Sequence, residues 1–136
     1  KIILDTLISC LDNKMKEIST GFNFRNTDIY KQVLLLNRKF YRLAKSFPES
    51  ELYEISNQLK RASVSIALNF AEGRARYNKR EKCQFYKVAR ASISECVAIL
   101  DIAETLEYVE PETHESLLSE SDVLSMQFNG LIKSLS

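Results

Sequence analysis

Apolar residues recur every three or four positions along most of this 136-residue chain, which is the spacing of one face of an α-helix. No segment alternates apolar and polar residues over a useful length, so we predict an all-α protein. A short amphipathic helix is predicted over residues 2–19 and is closed by Gly21. The next helix is predicted to begin at Thr27 or Asp28, both good N-caps, and to stop before Pro48.

The third predicted helix carries the most unusual segment of the chain. Ser50 is placed to cap this helix, and its apolar stripe starts at Leu52. We predict that the helix ends around Gly73 to Tyr77, with Gly73 as the residue that stops it. Asn69 interrupts the apolar stripe near this end, and a glutamate, a glycine and two arginines follow it closely.

Two further helices complete the pattern. Asn78, with Glu81 three residues later, forms a capping-box arrangement at the start of a long helix. That helix extends to about Leu106, and Pro111 suits the first turn of the last helix.

Residues 24–136 are therefore predicted to form an up-down-up-down antiparallel four-helix bundle, because short connections between long helices make neighbours antiparallel. Residues 1–23 are predicted to be an additional short N-terminal helix and its linker. Several helices carry apolar residues off the main stripe. This surplus favours self-association, since large exposed apolar patches usually mark interfaces.

The formal net charge of +1 hides a strong asymmetry along the chain. Residues 25–90 carry fifteen basic and six acidic groups, whereas residues 91–136 carry one basic and nine acidic groups. Two interpretations follow and can coexist. In the first, the basic region of residues 25–90 binds phosphate groups. In the second, the basic face of one subunit contacts the acidic face of another in a homo-oligomer.

The densest cationic stretch spans the junction between the third and fourth predicted helices. In one interpretation it binds the phosphates of a nucleic acid, RNA foremost, while tyrosines stack on bases. In the other it is a solvated face that pairs with acidic residues of neighbouring subunits. The candidate nucleic-acid-binding residues are Lys60, Arg61, Arg74, Arg76, Lys79, Arg80, Lys82, Lys87, Arg90, Tyr77 and Tyr86.

Two polar residues of the third predicted helix are interpreted as a structural polar core. Asn69 lies where an apolar residue is expected, so its amide should bond the backbone of a neighbouring helix. The functional alternative is a polar group that fixes register or lines a small pocket. Glu72 is placed to pair with Arg76 in its own helix, or with Arg61 or Arg90 across helices.

The sequence predicts no enzyme and no cofactor. A di-iron site in a bundle needs Glu-x-x-His motifs on two helices, but the only histidine is His114, which we expect to be a solvated surface residue. Neither a P-loop nor a GxGxxG motif is present. Cys10, Cys83 and Cys96 have no metal-ligand spacing and are expected to be buried free thiols in a reducing cytoplasm.

Nothing in the sequence predicts a membrane segment or a signal peptide. No apolar run approaches the ~18 residues of a transmembrane helix. The first residues include Asp5 and no small-residue cleavage site. Because the chain does not begin with Met, we expect the natural start to lie upstream. The predicted location is cytoplasmic.

Several stretches resemble one bacterial family over most of the chain, from about residue 24 to 135. Asn69-Phe70-Ala71-Glu72-Gly73-Arg74 is the central one, and it is flanked by matching stretches at 41–48, 58–66, 89–92 and 131–135. The family is the four-helix-bundle family encoded by intervening sequences in 23S ribosomal RNA genes, also labelled ribosomal protein S23. The chain departs from the family's pattern where Ala67 replaces Pro and where Ala91 and Glu107 replace Gly, and we expect these changes to favour regular helix.

The resemblance implies a four-helix bundle, homo-oligomerisation as a pentamer, and a link to RNA. Together with the charge pattern it leads to a non-enzymatic, homo-oligomeric bundle that binds RNA through the basic surface. The alternative is a structural scaffold or protein-interaction module whose charge asymmetry serves subunit contacts only. No membrane partner and no small-molecule substrate are predicted.

Overall fold

The computed structural model describes residues 2–15 and 20–136, and every regular element in these ranges is helical. The all-α prediction is confirmed. Two short 3-10 helices, Asn23–Asn26 and Glu49–Glu51, lie in the connections. The α-helices are α1 (Ile2–Met15), α2 (Asp28–Ser46), α3 (Ile55–Ala75), α4 (Lys79–Thr105) and α5 (Pro111–Ser134).

The first two helices begin and end for local reasons. Helix α1 occupies most of the predicted 2–19 segment, and residues 16–19 lie outside the described residues. Thr27 caps α2, because its side-chain oxygen accepts from the Tyr30 backbone N–H at 3.3 Å. Helix α2 ends at Ser46, two residues before Pro48, as the sequence predicts.

The start of α3 differs from the prediction. Ser50 does not cap α3, because it lies inside the 3-10 helix that follows Pro48. Helix α3 begins only at Ile55, after Glu54, whose side chain makes no capping hydrogen bond. Leu52, which was placed on the apolar stripe, is therefore outside the helix and exposed. Glu51 N donates to Pro48 O at 2.9 Å and Leu52 N donates to Glu49 O at 3.1 Å, so a tight turn precedes the regular helix.

Gly73 does not stop α3, which continues to Ala75. It is instead a buried residue at the contact with α4. A Cβ atom built on Gly73 would lie 2.5 Å from Cε1 of Tyr86 and 3.2 Å from Cβ of Phe85. The absence of a side chain thus lets the Tyr86 ring pack against the α3 backbone.

Contacts between consecutive helices show their relative directions. Between α2 and α3, the Tyr30 ring lies 6.2 Å from the Phe70 ring, and Ser63 Oγ donates to Asn37 Oδ1 at 2.7 Å. The residue nearer the start of α2 contacts the residue nearer the end of α3, so the two helices run in opposite directions.

The contacts of α3 with α4 and of α4 with α5 follow the same order. Ser92 Oγ of α4 donates to Ser65 Oγ of α3 at 2.9 Å, while Tyr86 packs at Gly73. The α4–α5 contacts link Arg90 to Asn129 and, at the opposite end, Asp101 to His114. An ion pair between Lys39 and Glu120 joins α2 to α5.

The core of this helical bundle is filled by residues from α2 to α5. An aromatic group closes one end, where the Phe70 ring stacks on Tyr86 and meets Phe128 edge to face, both with ring centroids 5.9 Å apart. Phe40 and Leu100 are fully buried further along the bundle. None of the helices that the structure describes is long and apolar enough to cross a membrane.

Candidate nucleic-acid interface

The turn between α3 and α4 is short and is fixed by hydrogen bonds. Arg76 N donates to Gly73 O at 3.3 Å at the end of α3. The predicted cap at Asn78 is confirmed, since its Oδ1 accepts from Arg80 N at 2.8 Å and from Glu81 N at 3.3 Å. Only residues 76–78 separate the two helices. This turn therefore holds its cationic side chains at one end of the bundle.

Five exposed cations surround this turn, and we call them the junction cluster. Three of them line one shallow groove together with Cys83 and Leu135, so the C-terminal end of α5 lies beside the start of α4. The members of the junction cluster are Arg74, Arg76, Lys79, Arg80 and Lys87. Because the charges face solvent within a small area, their potentials add at this end of the molecule.

Two predicted cations of the region have structural partners instead. Lys82 Nζ donates to Gly73 O at 3.3 Å and to Arg74 O at 3.2 Å, where the last carbonyls of α3 lack helical partners. Arg90 Nη1 donates to Asn129 Oδ1 at 2.8 Å and so connects α4 to α5. These side chains stabilise the scaffold that carries the junction cluster.

Glu72 is not part of a polar core, because it is exposed. Of the pairings considered from the sequence, the structure forms the one within α3, with Arg76 Nη2 3.0 Å from Glu72 Oε2. The Arg76 guanidinium also lies over the Phe85 ring, 4.9 Å from its centroid. Arg76 is thus the most restrained member of the junction cluster.

The two tyrosines of the predicted interface have opposite environments. Tyr77 is fully exposed in the turn. Tyr86 is 3% exposed and packs between Phe70 and Phe128, so the prediction that it stacks on bases is wrong. Burial raises the pKa of Tyr86 above its ordinary value of 10.0, and the charge of Arg74 partly opposes that shift.

Lys60 and Arg61 do not join the junction cluster. They lie about 20 Å from Arg74 along α3, at 1.5 Å per residue. Lys60 Nζ is placed over the Tyr41 ring of α2, 5.7 Å from its centroid. Arg61 is exposed on the outer side of α3.

Asn69 is half-buried, and its partners differ from those predicted. Its Nδ2 donates to Ser65 O at 2.8 Å and to Ser65 Oγ at 2.9 Å, within its own helix. Ser65 Oγ in turn accepts from Ser92 Oγ of α4. The amide is therefore connected to α4 through the Ser65 hydroxyl.

The opposite end of the bundle holds a group that the sequence did not predict. His114 has a side chain that is only 15% exposed, so the expectation of a solvated residue is wrong. Its Nε2 lies 2.8 Å from Asp101 Oδ1 and its Nδ1 lies 2.6 Å from Glu104 Oε2. The spacing of Asp101 and Glu104 along α4 was the available signal, but their meeting with α5 depends on the packing of the two helices.

Phe22 lies near the junction cluster, although it is not among the candidate interface residues predicted from the sequence. It lies before the first 3-10 helix, is 66% exposed, and lines a groove together with Arg74. The sequence signal was its position in an aromatic-containing linker. Only the fold places that linker beside the C-terminal part of α3.

The described residues offer little for metal or redox chemistry. No three of their His, Cys, Asp or Glu side chains are grouped so that they could hold a metal ion. Cys10 is exposed and Cys83 half-buried, so of the three thiols only Cys96 is buried as expected. Burial and, second, the charge of Glu95 raise the pKa of Cys96 from 9.0 to about 12, which keeps this thiol neutral.

Comparison with known proteins identifies a family and a similar solved structure. The family model described as "23S rRNA-intervening sequence protein" matches residues 25–130. A solved structure from Bacteroides thetaiotaomicron VPI-5482, described as a protein with unknown function from the S23 ribosomal protein family, has a TM-score of 0.72 with this fold. It is 21% identical, and the match covers 77% of this chain and 98% of that chain, which shows the fold alone. No curated protein matches the chain. The resemblance predicted from the sequence is confirmed.

Proposed function

Since the chain belongs to the 23S rRNA-intervening sequence protein family, we propose that it is a non-enzymatic helical protein that binds RNA through the junction cluster. The observation that supports this most is geometric. Five exposed cations and the fully exposed ring of Tyr77 surround one short turn. The cations can contact the phosphates of RNA, and a base can stack on the Tyr77 ring.

The fold that carries this surface is proposed to be an up-down-up-down bundle of α2 to α5, with α1 as an addition. The paired contacts along each helix–helix seam support this topology. Under it, the α3–α4 turn, the start of α2 and the end of α5 share one end of the bundle, while the other end carries mainly acidic residues.

The absence of catalysis is part of the proposal, and two observations support it. The ring nitrogens of His114 both face carboxylate oxygens, so the only histidine of the chain is held in structural contacts. Cys96 is buried, with a pKa raised to about 12, and is a poor nucleophile. The proposed location is the cytoplasm, on the basis of three free cysteines.

Charge reversal tests RNA binding directly. Changing Arg74, Arg76, Lys79 and Arg80 together to Glu should abolish measurable binding of a short structured RNA at moderate salt, because four attractive charges become repulsive. The matched control reverses Arg42 and Lys45, which are exposed cations at the other end of α2. Circular dichroism checks that both variants fold. Unchanged RNA affinity in the fourfold variant would refute the proposal.

The salt dependence gives a second measurement. If each of the five cations of the junction cluster neutralises one phosphate of a single strand, the logarithm of the affinity should fall against the logarithm of salt concentration with a slope of about −3.5. A slope near zero would mean that the contacts are not electrostatic.

A scaffold function is the second candidate, in which the charge asymmetry serves contacts in a homo-oligomer, a pentamer by family resemblance. Exposed apolar side chains on the outer face of α3 and α4, such as Leu68 and Val88, favour it. Multi-angle light scattering with and without RNA distinguishes the two functions. A folded monomer at both low and moderate salt would rule out the scaffold.

A further inference from the structure

A groove runs between the N-terminal linker and the C-terminal half of α3, next to the junction cluster. Its wall is aromatic, its floor is apolar, and Arg74 lies at its rim. Its volume is about 570 Å³, and it is open to solvent. Its volume lies within the range of small-ligand pockets, ~300–1,000 Å³. The lining side chains that matter here are Phe22, Phe24, Leu68, Ala71, Arg74 and Ala75.

The aromatic wall is held in place by the bundle. Phe24 packs edge to face on Tyr30, with ring centroids 4.9 Å apart, and Tyr30 lies against Phe70 of the core. Thr27 Oγ1 donates to Phe24 O at 2.6 Å, which closes the 3-10 helix. Phe22 then meets Phe24 edge to face at 6.3 Å but leaves two thirds of its surface in water. Its exposed ring contributes little to the core.

The α3 side of the groove leaves open space because alanines line it. Ala71 and Ala75 are one helical turn apart on α3, so no long side chain fills the space beside Phe22. Glu72 also lines the groove, but its carboxylate is paired with Arg76. The charge that remains at the rim is the guanidinium of Arg74.

We propose that this groove receives one unpaired base of the RNA, which lies against the exposed face of Phe22 while the neighbouring phosphates contact the junction cluster. This inference rests on the proposed function and specifies its ligand. The bases of duplex RNA are stacked and paired, whereas those of loops and single strands can be splayed onto aromatic rings. The RNA class is therefore single-stranded or loop RNA. Charge complementarity with the adjoining cations favours this occupant over an uncharged apolar molecule.

The experiment compares two oligonucleotides on the full-length chain. A decamer of adenylate and an abasic decamer carry the same phosphates but differ in their bases. The wild-type protein should bind the adenylate decamer at least about tenfold more tightly, which is the order of one base–aromatic stack. Phe22→Ala leaves any stacking on Tyr77 intact, so it should lower the affinity for the adenylate decamer by about tenfold and leave the affinity for the abasic decamer unchanged. Ala75→Leu, which fills the groove at an exposed position, should have the same effect.

A matched control is available at the other end of the molecule. Tyr53 is 85% exposed and lies in a segment with Glu49, Glu51 and Glu54, so Tyr53→Ala should leave both affinities unchanged. If the wild type binds both decamers equally, or if Phe22→Ala leaves the affinity for the adenylate decamer unchanged, the base-binding groove is refuted while RNA binding stands. If neither decamer nor a structured RNA binds, the proposed function itself fails.

Discussion

The two ends of α4 lie in short turns of opposite chemistry. At the start of α4, the side chain of Asn78 caps the helix, exposed cations surround the turn, and Tyr77 points into solvent. At the other end, backbone hydrogen bonds close the helix, and acidic side chains dominate the 101–115 segment. His114 lies between two of those carboxylates.

The difference shows that the junction cluster and the carboxylates of the 101–115 segment lie near opposite ends of α4. Under the proposed function, a polyanion would be drawn to the α3–α4 turn and repelled by the carboxylates at the far end, so the charge distribution would orient it. The α2–α3 connection adds to the acidic end, where Tyr108 Oη donates to Glu51 Oε1 at 3.2 Å. The net charge of +1 conceals this arrangement entirely.

The largest predicted effect is on stability at high pH and comes from Cys96, which lies in α4 between the two ends. The thiol of Cys96 has a pKa of about 12 in the folded chain and 9.0 when unfolded. Between pH 9 and 12 only the unfolded chain releases this proton, so stability should fall as the pH rises, by about 1.4 kcal/mol per pH unit. Chemical denaturation across this range measures the slope. Cys96→Ala should remove this contribution and make the slope shallower, although Tyr86, whose pKa is also raised, still adds to it above pH 10. An unchanged slope in that variant would contradict the assignment.

Gly73→Ala should break the basic end. The added Cβ would lie 2.5 Å from the Tyr86 ring, which is fixed between Phe70 and Phe128, so we expect a loss of about 3 kcal/mol in the free energy of unfolding. Gly130→Ala is the control, because nothing lies within 4 Å of that position in α5. It should stabilise the protein by up to about 1 kcal/mol through helix propensity. Equal effects of the two substitutions would rule out the proposed packing role.

His114→Ala should loosen the acidic end. Losing both carboxylate contacts is expected to cost about 1 kcal/mol of unfolding free energy, measured by thermal or chemical denaturation. RNA affinity should remain unchanged, because this end is remote from the junction cluster. Glu115→Ala, at an exposed neighbouring position, should change stability by less than about 0.5 kcal/mol. A loss of RNA affinity in the His114 variant would contradict the separation of the two ends.

Glu107→Gly should strengthen the acidic end slightly. Glu107 has a positive φ of 61°, because it closes α4 with Tyr108 N donating to Ala103 O and Glu107 N to Glu104 O. Relief of this left-handed conformation should raise the free energy of unfolding by about 0.5–1 kcal/mol. Glu107→Ala removes the charge but keeps the Cβ atom, so it should not stabilise. If Ala stabilises as much as Gly, charge rather than conformation is responsible.

At Glu107 the backbone differs from the regular helix expected from the sequence. The resemblance identified this position as one where the family has Gly, and a regular helix was expected because Glu is a good helix former. The backbone is instead in the left-handed region, where only Gly is free of strain. A local propensity was overridden by the geometry of a helix end.

The sequence by itself determined the helices, the Asn78 cap and the segregation of charge, because these depend on spacing and on neighbours along the chain. Tertiary structure decided which of two tyrosines is exposed, why Gly73 has no side chain, and what surrounds His114 and Phe22. Periodicity assigns a residue to a helix face, but the partner that meets this face depends on how the helices pack together. For that reason the basic surface was predictable, whereas the groove beside it was not.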